Sequence, residues 1–170
     1  LFGPRSCEIH GIKTFNGAKA DDVILKTASV IINTKSPLAS VFDDVIIGKQ
    51  AILPEVDDIV YEDRLGTTGW IYRKKILVGT RDLLIHHGVP VLKEDFEKKY
   101  TRKGRKVLYL AEAGKLMAMF VVSYSADPQL KKALRKLEKS GMTILVRSAD
   151  PFINDESITL SMIIRFYVCI

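Results

Sequence analysis

The sequence is poor in cysteine and histidine. Its 170 residues include only Cys7 and Cys169, at opposite ends, and no C-x-x-C motif. This excludes a disulfide framework and favours a reducing compartment. The three histidines, His10, His86 and His87, lack a metal-ligand spacing with cysteines or acids. The sequence therefore predicts no metal site.

Long apolar runs are also missing. No stretch of about 18 apolar residues occurs, so no segment is predicted to span a bilayer. The apolar end of the chain contains Arg165 and is too short for that. We predict a helix over 155–168 that packs on a core. No signal peptide is evident and Leu1 is not methionine, so we expect the chain to be part of a longer protein.

The composition is that of a globular protein with a basic surface. Apolar residues make up 47% and charged residues 27%, with a net charge of +6 and an isoelectric point near 9.3. Such a chain can bury a core. Its charge favours anionic partners such as nucleotides, nucleic acid or acidic membranes. Acids are interleaved with the basic residues and no nucleic-acid reader motif occurs, so no nucleic-acid partner is predicted.

The stretch 64–81 predicts a glycine-containing β-hairpin followed by a helix. It reads as a strand over 70–72, a polar turn over 73–75 and a second strand over 76–78, followed by a helix that Thr80 caps. Its three glycines allow either close approach of a ligand or the positive φ angles of tight turns, and both interpretations stay open. They are Gly66, Gly69 and Gly79.

Two helices are predicted before this stretch. Asp21 or Asp22 caps the first, which extends to Asn33. Ser36 caps the second, with Pro37 at its first position, and the helix ends near Gly48. A strand over 56–63 then leads into the hairpin.

After the stretch we predict a charged helix over 94–102 and a hairpin of strands 107–111 and 116–122. Asp127 caps a basic helix that ends at Ser140, and a strand over 142–146 leads to the loop that contains Asp150. The predicted inward stripe of the basic helix is Leu130, Ala133, Leu134 and Leu137.

The fold class is α+β: a twisted antiparallel sheet flanked by helices, with a partial α/β remnant at the C-terminus. Two parts are predicted, a domain over 1–120 and an α/β segment over 121–170. An exposed sheet edge in the second part invites pairing with another copy. This predicts a homodimer through 121–170.

The order of these features resembles the cytoplasmic nucleotide-binding domain of P-type cation-transporting ATPases, closest to the heavy-metal pumps. Residues 1–3 are similar to the continuation after the phosphorylated-aspartate motif. The segment ILKTASVIINTKSPLA resembles the family's helix, its SEHPLA motif and its next helix. The stretch 66–81 resembles the Gly-rich hairpin that ends in Val-Gly-Asn-Arg. Residues 127–150 resemble the return into the phosphorylation domain, with a partial HAD-like character, ending at Thr-Gly-Asp.

The chain departs from the family at informative positions. The family's adenine-contacting histidine falls on Ser36, and its preceding glutamate falls on Lys35. The first glycine of the Gly-x-Gly falls on Arg64, whose side chain we expect to fill space that a glycine leaves free. The asparagine after Val-Gly falls on Thr80. The Thr-Gly-Asp aspartate falls on Asp150, which we expect to be a solvated loop acid here.

The resemblance implies a cytosolic ATP-binding fragment that presents ATP, with Mg²⁺, to an aspartate outside this chain. Its implied partners are the phosphorylation, actuator and transmembrane domains of a parent membrane protein. It implies no catalytic residue and no protein-bound metal within the fragment. The alternative is a degenerate, non-catalytic relative that acts as a regulatory or interaction module. The implied nucleotide-binding residues are Lys35, Ser36, Gly66, Gly69, Gly79 and Thr80.

Overall fold

A computed structural model describes residues 6–142, 145–146, 148–153 and 167–168. In this part of the chain six antiparallel strands form one sheet in the order β1-β6-β5-β4-β3-β2. The strands are β1 (Cys7–Thr14), β2 (Asp57–Glu62), β3 (Gly66–Ile71), β4 (Lys74–Gly79), β5 (Lys106–Glu112) and β6 (Lys115–Tyr124). The helices are α1 (Ala20–Ile31), α2 (Pro37–Val45), α3 (Arg81–His86), α4 (Glu94–Lys98) and α5 (Pro128–Lys139). The α+β prediction is confirmed.

The sheet is packed on both faces. On one face, α1 and α2 cover a core that includes Phe42 and Phe120, whose rings meet edge to face with centroids 5.0 Å apart. On the other face, α3 contributes Leu83 and Leu84 to a second core, which includes Met119. Aromatic pairs in this geometry add about 0.5–1.5 kcal/mol beyond the area they bury.

The central hairpin turns earlier than predicted. Tyr72 and Arg73 form the two-residue turn with positive φ angles of 49° and 62°. Lys74 and Lys75 belong to β4 and pair with Ile71 and Trp70. The predicted polar turn over 73–75 is therefore wrong in its position. Two-residue turns with positive φ match the twist of the flanking strands, and strand pairing overrides the polar composition.

Of the four predicted helix caps, two make the expected hydrogen bonds, and Thr80 holds its cap position without one. Ser36 Oγ accepts a hydrogen bond from the Ala39 amide at 3.1 Å, and Asp127 Oδ1 accepts from two amides of α5. The predicted cap of α1 is wrong, because Lys19 holds the cap position and Asp21 and Asp22 lie in the first turn. In the first turn their negative charges stabilise the helix by interacting with the positive end of its dipole.

The apolar stripe of α5 was predicted to face inward, and this is wrong. No residue of α5 is buried, and Leu130 and Leu137 are 37% and 41% exposed. The spacing identifies the apolar side of a helix, but it does not show whether another part of the protein covers that side.

The C-terminal part is described only in pieces. Strands β7 (Leu145–Val146) and β8 (Tyr167–Val168) pair in parallel, in agreement with the predicted parallel α/β remnant. At Tyr167 and Val168 the predicted final helix is wrong, and its earlier residues lie outside the described ones. Strand β6 continues past residue 120 to Tyr124. The division into 1–120 and 121–170 stays a prediction.

Candidate functional site

Gly66 and Gly79 face each other across β3 and β4. A Cβ atom on Gly79 would meet the Leu65 carbonyl oxygen, Leu83 Cδ2 at 2.7 Å and Gly66 Cα at 2.9 Å. A Cβ atom on Gly66 would meet the Val78 carbonyl oxygen and Gly79 Cα at 2.6 Å, and the φ of Gly66 is +149°. The two glycines therefore permit close packing of the chain against α3.

The side-chain position of Gly69 is on the opposite face of the sheet. It pairs with Ile76, a member of the core under α1 and α2. A Cβ atom at Gly69 would come within 2.6 Å of Val56 Cγ1. The space in front of this glycine is also occupied by the protein itself.

Ser36 and Lys35 connect α1 to α2. The Ser36 hydroxyl is buried, accepts from the Ala39 amide and lies 2.9 Å from Thr34 Oγ1, which donates to it. Such a cap contributes about 1 kcal/mol to helix stability. Lys35 is exposed and has the left-handed backbone of φ 51°. Its ammonium group is therefore open to solvent and to anions.

Thr80 holds the N-cap position of α3, but its side chain makes no cap hydrogen bond. Its amide donates to the Leu65 carbonyl at 2.8 Å. Its Oγ1 is buried and has no hydrogen-bond partner among the described residues. A buried hydroxyl without a partner costs about 1–3 kcal/mol. A bound ligand that reached this oxygen would remove that cost.

The expectation that Arg64 fills a pocket is wrong. Its side chain is 61% exposed and lies 3.9 Å from an Asp63 carboxylate oxygen. The turn places Arg64 in the left-handed region with φ 57°. Because most of the side chain is exposed, it does not fill a pocket.

The predicted site residues are divided between the two sheet faces. Ser36 begins α2 on one face, and Gly69 lies against that same face. Gly66 and Gly79 contact Leu83 of α3 on the other face. The structure therefore joins Gly66 and Gly79 directly and places Ser36 across the sheet from their packing contacts. The nucleotide-binding role of these residues stays a prediction.

Asp150 is buried, contrary to the expectation of a solvated acid. It is 4% exposed, and Tyr124 Oη lies 3.0 and 2.9 Å from its two carboxylate oxygens. Its Oδ1 also accepts from the Phe152 amide at 3.0 Å. Burial raises the pKa of Asp150 to about 6, although these hydrogen bonds favour the charged form. The loop packs inward because Phe152 lies against Tyr124.

Cys7 and Tyr124 complete this cluster, and sequence reasoning missed both. Burial is the first cause that raises the pKa of the Cys7 thiol to about 12, and the charge of Asp150 is the second. Burial and Asp150 likewise raise the pKa of Tyr124. Tyr124 lies 26 residues before Asp150, and Cys7 lies more than a hundred residues before both, so no local pattern could have revealed them. The cluster supplies hydrogen bonds at neutral pH and no thiolate.

No family model matches the chain. Copper-transporting ATPase 2 of Rhizobium meliloti (strain 1021) is 24% identical over 144 residues, covering 84% of this chain and 17% of that protein. The chain thus spans about a sixth of the length of this curated relative.

Two solved structures have the same fold. The N-domain of HMA6, a copper-transporting P-type ATPase, aligns with a TM-score of 0.56 at 16% identity, covering 71% of this chain and 99% of that domain. The catalytic domain of the CPx-ATPase CopB-B aligns with a TM-score of 0.53 at 18% identity, covering 98% of this chain and 57% of that one.

The six-stranded sheet and its helices define the fold of a P-type ATPase nucleotide-binding domain. More particularly, the chain is similar in sequence to a copper-transporting ATPase over 84% of its length, and its fold is that of the N-domains of copper-transporting P-type ATPases. Among the described residues, no helix combines the length and apolarity required to cross a membrane.

Proposed function

We propose that this chain is the cytosolic ATP-binding fragment of a heavy-metal P-type ATPase. It presents ATP, with Mg²⁺, to a phosphorylatable aspartate outside the chain. The observation that carries the proposal is the shared fold, which covers 99% of the isolated N-domain of HMA6. In the parent protein the fragment would lie at the cytoplasmic face of the membrane, beside the phosphorylation, actuator and transmembrane domains. Alone it is not a complete enzyme.

The local geometry supports weak rather than tight binding of ATP. Ser36 offers no ring to stack on a base, and its hydroxyl is already engaged in the cap. Loss of stacking costs about 1–3 kcal/mol, or one to two decades of affinity. Lys35 remains available to attract phosphates. Thr80 Oγ1 is a buried hydroxyl that a ligand would satisfy.

Thr80→Val is expected to move stability and ATP binding in opposite directions. The valine has a similar shape but removes the unpartnered hydroxyl, so the free energy of unfolding should rise by about 1 kcal/mol. Loss of a hydrogen bond to the ligand should weaken ATP binding by roughly five- to tenfold. Urea unfolding and an NMR titration with ATP, with and without Mg²⁺, measure the two quantities.

The titration of the unaltered chain tests the site itself. Amide shifts should cluster at the proposed residues, Lys35, Ser36, Gly66, Gly69, Gly79 and Thr80, and saturate in the low millimolar range. Thr14→Val is the control for Thr80→Val and should leave ATP binding unchanged, because Thr14 is half-buried on β1, at the opposite edge of the sheet. No shifts up to about 10 mM ATP, a binding free energy near 2.7 kcal/mol, would contradict the ATP-binding proposal.

The second candidate is a regulatory or interaction module that has lost catalysis. The engaged Ser36 hydroxyl and the replacement of family residues at Lys35 and Arg64 favour it. Asp150 supports it as well, because its carboxylate is buried and hydrogen-bonded inside the chain. Absence of ATP binding in the titration would make this the leading function.

A homodimer through 121–170 is also proposed. The exposed Leu130 and Leu137 of α5 support it, because burial of an apolar helix face against another surface is favourable. Sedimentation analysis should reveal reversible dimerisation that Leu130→Lys abolishes. A monomer at all accessible concentrations would contradict the proposal.

A further inference from the structure

A cleft of about 260 Å³ lies on the α3 face of the sheet, at the β1 edge. Its floor is apolar, formed by Met119 and Val121 of β6 and by Gly11 opposite Val121 on β1. Both floor side chains belong to the core that Leu83 and Leu84 of α3 also join. Met119 is fully buried and Val121 is 6% exposed, so this core lies directly beneath the cleft.

Basic side chains from three places surround the cleft. His10 lies at a bulge of β1, Lys13 follows on the same strand, and Arg105 precedes β5. Bulges redirect side chains and are frequent beside binding sites. No carboxylate lines the cleft, and within the described residues none of the three pairs with an acid.

One wall of the cleft is aromatic. Tyr100 lines it, and the Tyr100 ring lies 5.3 Å from the ring of Phe96. The Lys13 ammonium sits 4.6 Å from the centroid of Phe96, on which it makes a cation–π contact. This contact holds one cation at the cleft and leaves its N–H groups able to donate.

We propose that this cleft binds a small organic phosphate, a phosphomonoester with a compact apolar or aromatic body. Arg105 and Lys13 would donate to the phosphate oxygens, as the guanidinium fork suits such anions. The apolar body would lie over Gly11 and Val121, against the Tyr100 ring. A volume somewhat below the usual range of about 300–1,000 Å³ restricts the ligand to a small molecule.

The cleft is separate from the proposed ATP site. Ser36 and Gly69 belong to the α1–α2 side of the sheet, whereas the cleft opens on the α3 side at the β1 edge. The other two glycines lie on β3 and β4, which β5 and β6 separate from β1. The inference therefore stands independently of ATP binding.

An NMR titration of the 170-residue chain with phenyl phosphate tests the proposal. Saturable shifts are expected at the amides of Gly11, Lys13, Tyr100 and Arg105. Arg105→Gln should weaken binding roughly tenfold, the usual effect of losing hydrogen bonds to a charged group. Inorganic phosphate should bind several-fold more weakly than phenyl phosphate, and phenol should cause no saturable shifts.

Arg135→Gln is the matched control. Arg135 is an exposed arginine on α5, and its substitution removes the same charge as Arg105→Gln does. It should leave the dissociation constant unchanged within twofold. Equal weakening by both variants would assign the effect to net charge and overturn the proposal. Equal affinities for inorganic and phenyl phosphate would overturn the role of the apolar floor, and absence of cleft shifts at 10 mM would overturn the site.

Discussion

Gly79→Ala is expected to destabilise the chain by about 3 kcal/mol or more, as measured by the free energy of unfolding in urea. The new methyl group would overlap the Leu65 carbonyl oxygen and approach Gly66 Cα to 2.9 Å. Both are backbone atoms, one in β3 and one in the residue before it, so they cannot swing aside as a flexible side chain would. Leu83 Cδ2, at 2.7 Å, belongs to the core under α3 and is also confined.

Gly11→Ala provides the matched control. Gly11 also lies in a strand of the same sheet, but nothing lies within 4 Å of a Cβ atom built there. Its free energy of unfolding should stay within about 0.5 kcal/mol of that of the unaltered chain. Similar small losses in both variants would contradict the packing that we describe between Gly66 and Gly79.

Asp150→Asn is expected to remove the pH dependence of stability that the Asp150 carboxyl contributes. The pKa of Asp150 is raised from 3.8 to about 6 in the folded chain. The folded state therefore holds a proton more tightly than the unfolded state between about pH 4 and 6. The Asp150 carboxyl therefore contributes to the free energy of unfolding at low pH, and this contribution is lost as the pH rises through 6. At neutral pH its burial as a carboxylate costs about 3 kcal/mol.

Asparagine removes the charge but can still accept from Tyr124 through its amide oxygen. Its NH₂ group adds a buried donor, which takes back part of the gain. We expect a net stabilisation of about 1 kcal/mol at pH 7 and a net loss of about 2 kcal/mol at pH 4, because the acid is then neutral in the unaltered chain. The two stability curves should cross between these values.

Urea unfolding at several pH values between 4 and 8 measures this crossing. Asp43→Asn is the control, since Asp43 is exposed on α2 and its charge is solvated. Its curve should run parallel to that of the unaltered chain. Parallel curves for Asp150→Asn as well would mean that the acid is solvated in the folded chain, and the burial of the loop would be wrong.

Features set by neighbouring residues could be predicted from the sequence. Ser36 followed by Pro37 marked the start of α2, and Asp127 followed by Pro128 marked the start of α5. These caps depend on atoms within three residues of one another. The order of caps, turns and strands also carried the resemblance to P-type ATPases, which the comparisons support.

Features that depend on which strands and helices meet required the tertiary structure. Gly66 and Gly79 were candidates for ligand contact or turn formation, and the pairing of β3 with β4 packs them against each other. The φ angles that place the hairpin turn at Tyr72 and Arg73 follow from the same pairing. Local composition favoured a turn over 73–75, but strand register decided the position.

The sequence by itself determined most of the elements and the caps of α2 and α5, because these depend on short-range sterics and hydrogen bonds. Only the tertiary structure decided which groups are buried. Asp150 became a buried acid because it meets Tyr124, 26 residues away. The stripe of α5 remained exposed because no described surface covers it. Burial is a property of contacts between distant segments, and a pattern along the chain does not contain those contacts.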